Sequence, residues 1–221
     1  MTYAVRLCDI SHGFRSQNGV TQVAREINFD FEKGTSTALI GRNGAGKTTL
    51  LRIISGALRP NAGTVLRNGR VSWPVGFAGS FHGDLTAAQN CRFSARVHGA
   101  DSESLIEAVR TMAGLGRHFH EPVRDYSSGM RSRLAFALSM ALPFDTYLVD
   151  EVTSVGDASF RKASHQVFTD RIKSASAIVV SHNPDQLRQL CDRAVILDNG
   201  TLFHFDNVNE AITYSRDKLF A

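Results

Sequence analysis

Apolar and polar residues alternate over residues 4–10 and again over 23–31, with turn-forming residues at 16–19 between them. A period of two with one wetted face predicts the strands of a hairpin. Residues 35–40 form a short β-prone run ending at Gly41, and apolar positions then recur at helical spacing over 47–58. Residues 64–73 predict a second hairpin, turning at Asn68-Gly69. The middle of the chain predicts helices over 86–98 and 102–112, broken at Gly99 and Gly114. The type then alternates: helix 129–141, strand 147–149, helix 158–172, strand 177–181, helix 185–190, strand 194–197, and an amphipathic helix over 207–221. Helices alternating with buried strands imply an α/β fold, a sheet with helices on its faces. No internal repeat or long linker divides the chain, so residues 1–221 are expected to form a single domain with the helical middle, approximately 86–142, as an inserted subdomain.

Composition narrows the class. With 221 residues, 43% hydrophobic and 21% charged, the chain reads as one soluble globular domain, and the composition argues against disorder. The longest run without Asp, Glu, Lys or Arg covers only 71–83 and contains Trp73, Pro74 and three glycines, so no membrane span is expected. Arg6 and Asp9 interrupt the N-terminal apolar run, which argues against a signal peptide and for the cytoplasm. Cys8, Cys91 and Cys191 are dispersed and odd in number, as reduced thiols would be. The formal charge is +4, but the basic residues are scattered, so no nucleic-acid partner is expected. His118 and His120 lack an acid or Cys at metal-ligand spacing and are expected in a surface loop. The many phenylalanines are expected in the core, with Phe77 and Phe81 as candidates to receive a partner helix.

Three segments carry chemistry. Gly41-Arg42-Asn43-Gly44-Ala45-Gly46-Lys47-Thr48 matches G-x-x-x-x-G-K-[ST] and lies between a predicted strand and a predicted helix. Its glycines let backbone N–H groups converge on phosphate oxygens, Lys47 adds a cation near the β and γ phosphates, and Thr48 offers a hydroxyl to Mg²⁺. Tyr147-Leu148-Val149-Asp150-Glu151 is an apolar strand ending in two acids. Acids often end strands for solubility; beside a phosphate loop, the first can hold Mg²⁺ and the second can polarise an attacking water. Tyr126-Ser127-Ser128-Gly129-Met130-Arg131 precedes an apolar helix. Ser127 or Ser128 can simply cap that helix, and a hydroxyl beside free N–H groups at a helix start is equally a phosphate site.

These motifs, with their order from Phe14 to His182, resemble the ATP-binding subunits of ABC transporters over nearly the whole chain. Tyr126-Ser127-Ser128-Gly129-Met130 stands where the usual signature is Leu-Ser-Gly-Gly-Gln. This variant, with the run from Asp150 through Asp157, resembles the capsular polysaccharide exporters, with O-antigen exporters as close relatives. The resemblance implies a P-loop ABC-type nucleotide-binding domain with an antiparallel β subdomain and an inserted helical subdomain. It makes Phe14 the aromatic on which adenine stacks and Gly41 to Thr49, including Thr48 and Thr49, the phosphate loop. Asp150 becomes the acid on the Mg²⁺ side and Glu151 the catalytic carboxylate. Ser127 and Gly129 would contact the γ phosphate held by a second subunit, Asp157 would cross the subunit boundary, and His182 would be the switch histidine. Taken by itself, a lone His after an apolar strand is more often a satisfied structural residue.

The resemblance further implies ATP and Mg²⁺ as ligands, a homodimer with composite sites, and an integral-membrane permease on a separate chain. The cargo would be a lipid-linked polysaccharide, and the chain would sit at the cytoplasmic face of the bacterial inner membrane. Lipid or drug exporters, soluble ABC proteins and small-molecule phosphotransferases are the competing readings. One departure stands out: relatives carry a coupling Gln on the strand after the loop, whereas here no Gln occurs in that region before Gln89, which is expected inside the next helix.

Overall fold

The computed structural model describes residues 2–16, 19–77, 79, 81–151 and 158–219. Its elements run β1 (Tyr3–Ser16), β2 (Gly19–Glu32), β3 (Ser36–Ile40), α1 (Lys47–Ser55), β4 (Ala62–Arg67), β5 (Val71–Pro74), α2 (Ala87–His98) and α3 (Ser102–Ala113). There follow α4 (Ser128–Ala141), β6 (Thr146–Asp150), α5 (Ala158–Lys173), β7 (Ser176–Val180), α6 (Pro184–Leu190), β8 (Arg193–Asp198), β9 (Thr201–Phe205) and α7 (Val208–Lys218).

Two compact units divide the chain. The first comprises Met1–Pro74, Phe144–Glu151 and Ile172–Ala221 and contains both sheets. In the smaller sheet β1 pairs antiparallel with β2 and with β4. The larger sheet has the order β5-β6-β7-β3-β8-β9, parallel except for β9. Every residue of β3 and β7 is buried, Ser36, Thr37 and Ser176 included, so neither strand shows the alternation of a strand with one wetted face. Val5, Leu7, Ile10, Ile27 and Phe31 of the antiparallel sheet share one core cluster with Leu50, Leu51, Ile53 and Ile54 of α1 and with Leu39, Leu148 and Ile178 of the parallel sheet. A buried aliphatic side chain contributes about 1.5–3 kcal/mol, so α1, with four of them, firmly anchors the loop in front of it.

The second unit, Val75–Pro143 with Val152–Arg171, carries α2, α3 and α4. Thr86 and Gln89 form a reciprocal capping box at the start of α2, and Asp101 caps α3. Gly99 and Gly114 end α2 and α3 in the left-handed conformation, at the expected breaks.

Some expectations need correction. Residues 64–73 do not form a hairpin: β4 pairs with β1, whereas β5 pairs parallel with β6 in the other sheet. The chain changes sheets at Asn68-Gly69, where a Cβ on Gly69 would stand 2.7 Å from an Asp145 carboxylate oxygen that accepts the Arg70 N–H. β9 was not anticipated; it forms a hairpin with β8 through Asn199-Gly200. His118 and His120 lie in a short 3-10 turn, Gly116–His120, and His118 Nδ1 is 2.6 Å from Glu121 Oε2. Among the described residues no group of three or more His, Cys, Asp or Glu could hold a metal, and no helix is long and apolar enough to cross a membrane. Phe14, Phe77, Phe93 and Phe203 are exposed, so the phenylalanines are not all core. All three cysteines are free, Cys91 and Cys191 buried and Cys8 half-buried.

Candidate nucleotide site

Buried β3 delivers the chain to Gly41, where a Cβ would stand 2.6 Å from the Leu197 carbonyl oxygen. Gly44 and Gly46 take φ of +80° and +104°, which curls the loop back on itself. Position 46 is closed to other residues for a second reason. β2 carries an extra residue at Val23, the pairing stepping from His12↔Ala24 to Gly13↔Gln22, and a Cβ on Gly46 would meet Val23 Cβ at 2.7 Å.

After Gly46, α1 starts with no side-chain cap and no acid in its first turn. Its uncapped N–H groups and the positive end of the helix dipole therefore face the loop, an arrangement that attracts an anion. Lys47 Nζ donates to the carbonyls of Gly41 (2.7 Å) and Arg42 (3.1 Å). Burial pushes the Lys47 pKa down, while the charges of Glu151 and Asp150 oppose that shift.

A cavity of about 460 Å³ opens beside the loop, and its lining includes Asn43, Gly44, Gly46, Lys47, Thr48 and Thr49 together with Phe14, Asp150 and Glu151. Gly41, Arg42 and Ala45 do not line it; Ala45 packs on the core, and Gly41 and Arg42 supply the carbonyls that hold Lys47. Phe14 is 48% exposed and meets the ring of buried His12 edge-on at 4.9 Å. Thr21 and Val23 of β2 also line the cavity. Neither belongs to a motif, and only the β1–β2 pairing brings them there.

The two acids and the histidine come together through strand order. β6 and β7 are parallel neighbours with Asp150 opposite Val180, so their C-terminal ends open at the same edge. Glu151 has φ +54° and donates its N–H to the Val180 carbonyl at 3.0 Å. A non-glycine residue in this region costs about 1 kcal/mol or more, strain of the kind that collects at working sites. The Glu151 Oε1 oxygen lies 2.9 Å from His182 Nε2, each side chain being 54% exposed.

Ser127 and Gly129 lie in the second unit. Ser127 caps α4, its Oγ accepting the Met130 N–H at 3.2 Å. A Cβ on Gly129 would meet nothing nearer than Ser127 Oγ at 3.9 Å, so packing around the helix does not demand glycine there. Gln89 is tied up in the α2 capping box, its Oε1 accepting the Thr86 N–H at 2.9 Å. Asp157 lies outside the described residues.

A phosphate loop running from a buried strand into an uncapped helix, with two acids at the end of β6 in the same sheet, defines a nucleotide-hydrolysing domain, and residues 24–154 match the family model described as ABC transporter. The chain belongs to that family and is an ABC-type ATPase. It is 44% identical to the polysialic acid transport ATP-binding protein KpsT of Escherichia coli over 94% of each chain. It is 41% identical to the capsule polysaccharide export ATP-binding protein CtrD of Neisseria meningitidis serogroup B, covering 93% of this chain and 95% of that one. A solved ATP-binding subunit of an ABC transporter shares the fold at a TM-score of 0.79, with 21% identity over 98% of both chains.

Proposed function

We propose that this chain hydrolyses ATP to drive export of a capsule-type or related surface polysaccharide, carried lipid-linked through a separate integral-membrane permease at the cytoplasmic face of the inner membrane. The observation that carries the energetic half is the meeting of the loop, Asp150 and Glu151 around one cavity, with His182 bonded to Glu151. Similarity over 94% of KpsT and 95% of CtrD supports the cargo.

In this reading Phe14 stacks on adenine, a sequence-tolerant interaction worth about 1–3 kcal/mol. The loop from Gly41 to Thr49 cradles the phosphates, with Lys47 as the localised cation. The Thr48 hydroxyl and the Asp150 carboxylate are hard oxygen donors lining one cavity, and they suit Mg²⁺, which takes few protein ligands and completes its shell with phosphate oxygens and water. When bound, that ion neutralises charge on the phosphates. Glu151 orients and polarises the attacking water, and His182, held by Glu151, reaches the γ phosphate. Ser127 and Gly129 act on the ATP of a second copy. One loop and one signature per chain make a homodimer with two composite sites the economical assembly. The unneeded glycine at position 129 supports this, because it leaves room for an approaching phosphate.

The test is deletion of the gene with complementation by wild type and by Glu151→Gln. Polysaccharide should accumulate inside the deletion strain and be restored at the surface only by wild type. Normal surface polysaccharide in the deletion strain would overturn the reading.

A further inference from the structure

We infer that Tyr126, at the signature position usually occupied by leucine, is a positioning residue whose hydroxyl sets the placement of Ser127 toward the second copy's ATP. The inference rests on the composite-site reading proposed above and adds to it a residue outside the expected site. Tyr126 is only 3% exposed, and its hydroxyl donates to the His118 carbonyl at 2.5 Å. That carbonyl belongs to the turn Gly116–His120, which His118 Nδ1 and Glu121 Oε2 pin from the outside at 2.6 Å. At its other end Tyr126 closes the turn Val123–Asp125, its N–H donating to the Val123 carbonyl at 3.1 Å. Val123 in turn donates its N–H to the Leu85 carbonyl at 3.0 Å, just before α2. The Tyr126 hydroxyl therefore holds the 116–120 turn while its backbone N–H closes the 123–125 turn, which Val123 ties to Leu85, and the next residue is Ser127, the N-cap of α4.

Leucine could fill the same apolar space, but it would have no atom to bond the 116–120 turn. The hydroxyl adds direction to burial. Burial, reinforced by the Glu121 charge, pushes the Tyr126 pKa up to about 12, so the hydroxyl keeps its proton and remains a donor at working pH. Losing the bond would not leave the acceptor orphaned, because the His118 carbonyl also accepts the Glu121 N–H at 2.9 Å. Tyr126→Phe should therefore fold, with Ser127 less well placed.

The experiment compares Tyr126→Phe and Ser127→Ala in the full-length chain, each alone and combined with Glu151→Gln. Four quantities are measured: kcat and KM for ATP, MgATP affinity of the monomer by fluorescent nucleotide, the MgATP-dependent dimer dissociation constant in the Glu151→Gln background, and the thermal midpoint. Tyr126→Phe should lower kcat roughly tenfold and weaken the MgATP dimer by a similar factor, in line with the sensitivity of catalysis to small misplacements. KM, monomer affinity and thermal midpoint should stay near wild type. Ser127→Ala separates the two layers of argument. If it leaves the MgATP dimer intact, or if the Glu151→Gln parent does not dimerise, the composite-site reading fails and the role of Tyr126 with it. If Ser127→Ala weakens the dimer and Tyr126→Phe does not, the Tyr126 inference alone is wrong. A Tyr126→Phe chain that loses monomer affinity and thermal stability together with activity would show a structural residue and would also overturn it.

Discussion

Lys47 is half-buried, and its ammonium donates to two loop carbonyls. Burial lowers its pKa, so the charged form costs stability at pH values below the lowered pKa, and that cost is relieved as pH rises toward the unfolded value. Lys47→Ala should therefore retain the wild-type urea midpoint or exceed it slightly, while phosphate release falls by about a hundredfold or more if the proposed cation role holds. Loss of fold together with activity would contradict this, and so would wild-type turnover. The cysteines give a separate check on burial. Burial drives the Cys91 and Cys191 thiols up to about 12, leaving almost no thiolate at neutral pH. Iodoacetamide at neutral pH should modify Cys8 alone in the folded chain and all three thiols in urea, read by peptide mass.

Two Asn-Gly pairs show how much a turn signal depends on its surroundings. Asn199-Gly200 turns a hairpin, between β8 and β9. Asn68-Gly69 has the same residues, yet β4 and β5 belong to different sheets. There the glycine accommodates Asp145, whose carboxylate would collide with a Cβ at 2.7 Å and accepts the Arg70 N–H. Gly69, at φ +110°, thus meets both a backbone and a packing demand, whereas Gly99, at φ +64° with nothing within 4 Å of its Cβ position, meets only the first. Gly99→Ala should cost about 1 kcal/mol. Gly69→Ala should cost roughly 2–4 kcal/mol, because the Asp145 contact must also give. Equal losses in urea unfolding would show that Asp145 moves aside freely.

At the level of the assembly, the proposed role of Glu151 makes a direct forecast. The amide in Glu151→Gln polarises water poorly but is nearly isosteric, and it removes a negative charge beside the triphosphate. MgATP should therefore convert Glu151→Gln from monomer to dimer on size exclusion, with phosphate release nearly abolished. A variant that stays monomeric in saturating MgATP, or turns over like wild type, would remove Glu151 from the catalytic role. The coupling Gln that the family resemblance leads one to expect is absent from residues 74–84, and Gln89 is occupied in a cap. Phe77 is exposed, and we propose that the stretch from Phe77 to Asp84 receives the permease helix instead. Ser80, one natural probe position, lies outside the described residues, but His82 is exposed. A single cysteine at His82 should crosslink to the co-purified permease, and failure there with working controls elsewhere would count against that surface.

Local chemistry was legible in the sequence by itself. The order of strand, glycine loop and helix around Lys47 depends on neighbours within a few residues, as do the helix breaks at Gly99 and Gly114 and the Ser127 cap. The β-prone run at 35–40 and the strand expected over 177–181 likewise correspond to β3 and β7. What the sequence could not show was which strands lie side by side. Partners in a parallel sheet are chosen by packing across long separations, and no periodicity records the choice. Only the fold decided that β4 and β5 part company at Gly69, that β9 adds an antiparallel edge, and that a bulge at Val23 closes on Gly46. The same holds for Glu151 and His182, which are 31 positions apart in the chain and stand 2.9 Å apart because β6 and β7 are neighbours.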